Sequence, residues 1–353
     1  MPKAAAKATA KDPGPRPPEV AAEVAKVSAA LTEVIPAKAL DRNLLIGTWN
    51  IRAFGDLADR WSGTVKGATK RDLRALASIT EIVSRFDVVA IQEVRGNIRA
   101  LRHMMKDLGP DWGFILTDVT RGSAGNNERL AFVFDLRRVR PSGLACELVL
   151  SDEDLDQKGG GEFVRQFART PYAVSFVASG KTFILVTLHV LWGKVPGDRI
   201  PELKGIARWV ADWAEELESW GQNLIALGDF NIDRKGDKAF EAFTSTGLRA
   251  PDALNDVPRT IFGNADGFYD QIAWFTGEQG QPKLSLDFTG RAGGFDFVPH
   301  VFPNLNAQQL SWRLSDHLPL WCEFAMERQA REPGAFLRAR AGATGGGPNA
   351  GRG

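Results

Sequence analysis

Seven short apolar runs, separated by turn-rich or helical stretches, constrain the fold of this chain more than any other feature. They are LLIGTW (44–49), DVVAIQ (87–92), LAFVFD (130–135), TFILVTL (182–188), NLIALG (223–228), YDQIAWF (269–275) and HLPLWCEF (317–324). Several are continuous rather than alternating, which is the pattern of strands covered on both faces. Helical spacing appears between them. DLRALASITEIVSRF (72–86) is one such stretch. Another is 199–220, where Ile200, Leu203, Ile206, Val210, Trp213 and Leu217 form one apolar stripe. The tryptophans of that stretch read as core packing. A further short helix is expected around 19–34, where apolar residues recur at helical steps. The sum is an α/β body with helices on the outside and no internal repeat.

No apolar run approaches the roughly 18 residues that a spanning helix needs. The N-terminal MPKAAAKATAKDPGPRPPE lacks the continuous apolar core of a secretory signal. The expected organisation is an Ala/Pro/Lys-rich N-terminal extension over 1–40, a folded body over 41–326, and a disordered Arg/Gly-rich tail over 327–353. Charge follows the same division. It is +2 over residues 1–40, +4 over 328–353 and −5 over 41–327, within a net +1. An acidic body that handled phosphate would need cations, and the basic tails could add weak, salt-sensitive attraction to a polyanion. Cys146 and Cys322 each fall on the apolar side of an alternating pattern and read as two buried free thiols. That usage suits a reducing compartment, and a cytoplasmic location is slightly favoured.

The strand ends carry the chemistry. LLIGTW runs into Asn50, DVVAIQ into Glu93, TFILVTL into His189, and NLIALG into Asp229 with Asn231 two residues on. Asp270 opens a strand in FYDQIAWF, and Asp316 and His317 stand side by side before the last one. Any one of these groups could be a turn or cap. Strand ends along one edge of a covered sheet converge, however, and four apolar strands ending in complementary polar groups describe a site on a rigid scaffold. Of the four histidines, His103 sits in a helical pattern, and only His189 and His317 adjoin strand ends beside carboxylates.

The ordered series TWN, QE, TLH, GDFN, YDQI and SDH resembles the endonuclease/exonuclease/phosphatase superfamily, most of all its deoxyribonuclease I-like group. NIRAFGD, QEVR (92–95), NERLAFVF (127–134), FART (167–170), FDF (295–297) and LSDH (314–317) add to the likeness, which covers about 41–326. The resemblance implies a four-layer α-β-β-α sandwich of two packed mixed sheets flanked by helices. It implies a divalent-metal-dependent phosphodiesterase, a DNA endonuclease with little sequence selectivity; a monomer is expected.

Hydrolysis of a phosphodiester needs an activated water, neutralised phosphate oxygens and a proton for the leaving alkoxide. Glu93 is the expected holder of the cation, and the resemblance adds Asn50 and Asp316. Mg²⁺ suits such oxygen donors, with Mn²⁺ or Ca²⁺ as alternatives. His317 and His189 are expected to divide the proton work, each steadied by a carboxylate. The resemblance pairs His317 with Asp270 and His189 with Glu128. His317 is assigned as base and His189 as acid, with the opposite assignment left open. Asp229 and Asn231 would orient the nucleophile or bind phosphate and metal. Arg52, Arg95 and Arg169 are the expected phosphate contacts.

Three departures bear on substrate. The place where the deoxyribonuclease I group carries a groove-contacting aromatic is held by Gly125, Asn126 and Asn127, the group's usual disulfides have no cysteines here, and the stretches 193–198 and 60–70 could reshape access. Competing readings are a superfamily phosphoesterase on a phospholipid, inositol phosphate or abasic DNA, and a non-catalytic nucleic-acid-binding module.

Overall fold

The computed structural model describes residues 13–61, 70–121, 125–150, 167–216, 223–263, 267–277 and 279–326. The tail expected over 327–353, the first twelve residues, most of the 60–70 loop and Leu217 lie outside the described residues. The strands are β1 (Asn43–Phe54), β2 (Val88–Arg95), β3 (Trp112–Leu116), β4 (Glu128–Asp135), β5 (Arg140–Glu147) and β6 (Tyr172–Ala178). They continue with β7 (Lys181–His189), β8 (Leu224–Asp229), β9 (Leu248–Arg249), β10 (Asp270–Phe275), β11 (Asp287–Gly294) and β12 (Leu320–Ala325). The helices are α1 (Pro18–Val34), α2 (Leu73–Val83), α3 (Arg99–Leu108), α4 (Ile200–Glu216), α5 (Lys238–Thr244) and α6 (Ala307–Ser311).

Two six-stranded mixed sheets result, ordered β11-β12-β1-β2-β4-β3 and β5-β6-β7-β8-β10-β9. β1 and β2 run parallel in the first, β7 and β8 in the second. Both parallel pairs are central, which is why their sequences are the most continuously apolar. In β1, Leu44 and Ile46 face the second sheet and join Val88, Phe132, Val174, Phe176, Leu227 and Ile272. Leu45 and Trp49 face the other way and join Leu76, Ile79, Ile82 and Leu101 of α2 and α3. Residues of alternate parity serve two cores, so a run buried on both faces needs no polar position. Phe176 meets Phe132 and Phe134 edge-on at 5.6 and 5.4 Å and fills the space between the sheets. On the far side Leu203, Ile206, Val210 and Phe243 of α4 and α5 pack on Ile184, Val186 and Ala226. The layers are therefore α-β-β-α, as the resemblance implies.

α2 starts at Asp72, whose side chain accepts from the Ala75 amide at 3.1 Å. α1 forms where helical spacing predicts it. Although it lies in the segment expected as an extension, its Val27 and Leu31, with Ile35 beyond its end, enter the same core as α2. Arg85 ties it down through Ser28 Oγ at 2.6 Å. Both cysteines are free; Cys322 is buried between the sheets as expected, but Cys146 is only half-buried. The reading of two buried thiols is corrected at Cys146, which sits on β5 at the edge of its sheet with fewer neighbours to cover it. Among the described residues no helix is long and apolar enough to cross a membrane.

At one end the space between the sheets turns polar. Gln92 on β2 donates to Thr187 on β7 at 2.9 Å, and Asn50 on β1 donates to Asp229 on β8 at 2.9 Å. Unpaired, these buried groups would be costly; paired across the gap, they fix one sheet against the other.

Candidate active site

Strand register brings the expected residues together. On the second sheet His189, Asp229 and Asp270 are direct neighbours across β7, β8 and β10. On the first, Asn50 is opposite Gln92, next to Glu93, and Arg95 is opposite Glu128. Each row lies where its strands stop being regular. The β1–β2 register shifts beyond Asn50 and the β2–β4 register beyond Ile91. Ala53, Glu93 and Asn231 have φ of 47°, 60° and 53°, a conformation that non-glycine residues hold only under constraint from their surroundings. At Gly228, φ is 138°, and a Cβ there would lie 2.1 Å from the Leu188 carbonyl oxygen. The absent side chain lets β8 approach β7 next to His189 and Asp229.

Two histidine–carboxylate pairs face each other across Asp229. His317 Nδ1 and Asp270 Oδ2 are 2.6 Å apart, and His317 Nε2 is 3.8 Å from Asp229 Oδ2. Burial pulls the His317 imidazole down, but Asp270, Asp229 and Asp316 outweigh it and hold the ring well above its ordinary value. The pair shares a proton that favours the imidazolium. The peptide around His317 is fixed as well, since Trp49 Nε1 donates to the His317 carbonyl at 2.8 Å and the His317 amide donates to Ser315 Oγ at 3.2 Å.

In the second pair His189 Nδ1 stands 3.0 Å from Glu128 Oε2, and His189 Nε2 is 3.5 Å from the same Asp229 oxygen. Glu128 is buried and heavily bound. Arg169 Nε donates to its Oε2 and Asn126 Nδ2 to its Oε1, both at 2.5 Å, while Arg95 Nη1 is 3.3 Å from Oε1. Burial alone would raise this carboxyl, but His189, Arg169 and Arg95 hold it well below the usual carboxylate range. Asp229 is likewise depressed: burial opposes its charge, and His317, His189, the Asn50 amide and the Asn231 backbone N–H outweigh burial. Asn231 is adjacent to the centre through that N–H, 2.9 Å from Asp229 Oδ1, while its own Nδ2 donates to the Val190 carbonyl at 2.7 Å.

The expected metal residues divide. Asn50 Oδ1 is buried with no hydrogen-bond partner although Nδ2 is engaged, which leaves a hard oxygen donor for a cation. Glu93, one residue past the Gln92 that lies opposite Asn50, accepts from the Ala53 amide at 2.8 Å and from Arg95 at 3.2 Å. The Asp316 carboxylate meets Arg52 Nη1 at 3.2 Å. Asp229, Asp270 and His317 offer ligand atoms within 4.8 Å of one another. These donors, mostly oxygens, fit a hard divalent ion. Of the expected phosphate contacts, Arg52 and Arg95 are partly exposed, whereas Arg169 is buried and bound to Glu128.

Other contributors left little trace in the sequence. Arg71 is buried and donates to four carbonyls, those of Arg52, Ala53, Arg313 and Leu314, at 2.7 to 3.0 Å, clamping the end of β1 to the segment before His317. In KRDLRAL it reads as an ordinary charge ahead of a helix. Buried Arg199 donates to the carbonyls of Asn231 and Trp192 at 2.6 and 2.8 Å.

This fold and residue set define a class, the α-β-β-α hydrolases of phosphoric esters. No family model matches the chain. Deoxyribonuclease-1 of Bos taurus is 29% identical over 295 residues, covering 80% of this chain and 92% of that protein. A deoxyribonuclease of Thioalkalivibrio sp. (strain K90mix) is 29% identical over 208 residues, covering 57% of this chain; the match spans half the length of that relative. In structure, the human Nocturnin catalytic domain shares the fold, with a TM-score of 0.51 at 16% identity, covering 82% of this chain and 95% of that one. A functionally unknown protein of Enterococcus faecalis V583 also has a TM-score of 0.51, at 16% identity, covering 80% and 100%. By sequence the chain is similar to deoxyribonuclease I-like proteins of the endonuclease/exonuclease/phosphatase superfamily, and it shares its fold with the two solved neighbours.

Proposed function

We propose that the chain is a divalent-metal-dependent phosphodiesterase that cuts DNA endonucleolytically with little sequence selectivity. The observation that carries this reading is the meeting of two histidine–carboxylate pairs at one buried aspartate, with Nε2 of His317 and His189 at 3.8 and 3.5 Å from the same Asp229 oxygen. A phosphate over Asp229 would have an imidazole on each side. In the proposed mechanism His317, oriented by Asp270, takes the proton of the attacking water. His189, oriented by Glu128, gives a proton to the leaving oxygen or stabilises the phosphate. Arg52 and Arg95 offer guanidinium groups to phosphate oxygens, and such contacts hold a backbone without reading its sequence.

Asn50 and Glu93 would hold the metal, with Asp229 near. A bound Mg²⁺ or Mn²⁺ would supply Lewis-acid stabilisation of charge on the phosphate. Asn50→Ala is expected to weaken Mn²⁺ binding about tenfold or more by calorimetry; unchanged binding removes Asn50 from the metal shell.

The deoxyribonuclease relatives favour DNA over the other phosphoesters that the superfamily suggests. Incubation with supercoiled plasmid and Mg²⁺ tests the reading. Nicking that stops in EDTA and returns with Mg²⁺ supports it. No nicking, with phosphate released from an inositol phosphate or phosphocholine from a lipid, replaces it with a superfamily alternative. DNA binding without cleavage of any phosphoester would leave the non-catalytic module.

A further inference from the structure

Four aromatic side chains stand among the exposed large apolar residues of the described chain: Phe114, Trp192, Phe262 and Trp312. Three of them border the site. Trp192 follows β7 three residues after His189 and is 54% exposed. Trp312 precedes Asp316 by four residues and is 41% exposed. Phe262 adjoins Thr260 and Ile261, which both donate to the Asp316 carbonyl, at 2.9 and 3.0 Å.

Both indoles are held from behind by an arginine that also braces the site. The Arg199 guanidinium lies 4.0 Å from the Trp192 ring centroid, and its contacts to the Trp192 and Asn231 carbonyls and to Asp233 at 2.8 Å leave it little freedom. The Arg52 guanidinium lies 3.9 Å from the Trp312 ring while it pairs with Asp316 and donates to Ser311 Oγ at 2.9 Å. Tyr269 continues the aromatic surface inward, 6.0 Å from Trp192 on one side and 6.0 Å from the His317 ring on the other. Beside Trp312 opens a cavity of about 300 Å³ whose lining includes Arg52, Lys70, Arg71, Arg95 and Asp56. Exposed indoles normally cost solubility and are mobile. Two of them, immobilised beside the same phosphate centre and flanked by guanidinium groups, form a surface for flat π-systems joined by anions.

We propose that the site takes single-stranded nucleic acid, with unpaired bases on either side of the scissile phosphate stacked on Trp192 and Trp312. This rests on the phosphodiesterase reading above and names its substrate class more closely. In a duplex the base faces are covered by their neighbours, so an indole reaches one only by unstacking it. A single strand offers every base face, and stacking on an aromatic ring tolerates any sequence. A lipid surface would also accept exposed aromatics, but it has no use for a guanidinium behind each ring or a basic cavity of nucleotide size.

The test compares binding of a fluorescein-labelled oligo(dT), the matching blunt duplex, and phosphatidylcholine/phosphatidylserine vesicles, all in EDTA. The proteins are wild type, Trp192→Ala, Trp312→Ala and the Trp→Phe variants, each checked for an unchanged melting transition. The expected result is tighter binding of the single strand than of the duplex by wild type. Each Trp→Ala change weakens the single strand about tenfold and the duplex much less, and Phe restores most of the loss. Equal losses on both DNA forms, or no loss on either, overturn the proposal. Loss of vesicle binding alone replaces it with a lipid-facing role. The plasmid assay separates the two readings: nicking by wild type, together with tryptophan variants that bind single strands normally, leaves the phosphodiesterase reading standing and removes this one.

Discussion

His317 with Asp270, and His189 with Glu128, are built from the same parts and tuned in opposite ways. Asp270 is fully buried, and burial with Asp229 nearby pushes its carboxyl up to about 6 despite the pull of His317 and Arg259. Its proton is shared with His317, whose own affinity for protons is raised. Glu128 is buried too, but Arg169 and Arg95 compensate its charge. It stays ionised and can hold His189 Nδ1 without taking up a proton. The difference lies in the arginines: among the described residues Arg169 forms an ion pair with Glu128, whereas Asp270 forms its ion pair with His317. Two like pairs set to unlike proton affinities are what a site needs when one group must accept a proton and the other must give one.

The largest effects should come from removing either ring. His317→Ala and His189→Ala are each expected to lower plasmid nicking by about 10²- to 10⁴-fold with an unchanged melting transition. Near-wild-type turnover by one variant would remove that histidine from the chemistry. Next is the frame that both pairs share. Gly228→Ala drives a methyl group into the Leu188 carbonyl, between the strands that carry His189 and Asp229. A loss of about 2 to 3 kcal/mol in urea unfolding is expected, with activity falling through both histidines at once. A variant as stable as wild type would show that β7 and β8 can separate without cost.

A smaller effect sharpens the contrast in acid. The folded-state value of Glu128, about 2, lies below its ordinary 4.5, so its contribution to stability is complete above about 4.5 and is lost as the pH falls towards about 2. Glu128→Gln should be less stable at neutral pH, because Arg95 and Arg169 lose a partner, and should lose the slope in that window. An unchanged slope would mean that Glu128 is not held ionised by the fold.

How much of the site is legible in the sequence depends on the separation of the partners. Strand-end residues were legible because an apolar run that stops at a polar group shows both the strand and its mouth, and register then brings His189, Asp229 and Asp270 into line. The four-layer order was legible from runs buried on both faces, together with the family likeness. Contacts between distant loops were not. Arg71 meets Arg313 and Leu314 some 240 residues away, and nothing local distinguishes it from a solvated arginine. The same holds for the contact of Arg169 with Glu128 and for that of Asp316 with Arg52. Trp192 and Trp312 lie outside the apolar runs and gave no sign of the guanidinium behind each ring.

The most direct test of the division between the pairs is the pH dependence of nicking at saturating Mg²⁺ for wild type, Asp270→Asn and Glu128→Gln. If His317 is the base, activity rises with pH as its raised imidazole loses a proton, and Asp270→Asn, which removes the charge that raises it, moves that rising limb to lower pH. Glu128→Gln should leave the limb in place. A limb that follows Glu128 instead, or one that falls where it should rise, would contradict the assignment and exchange the roles of the two histidines.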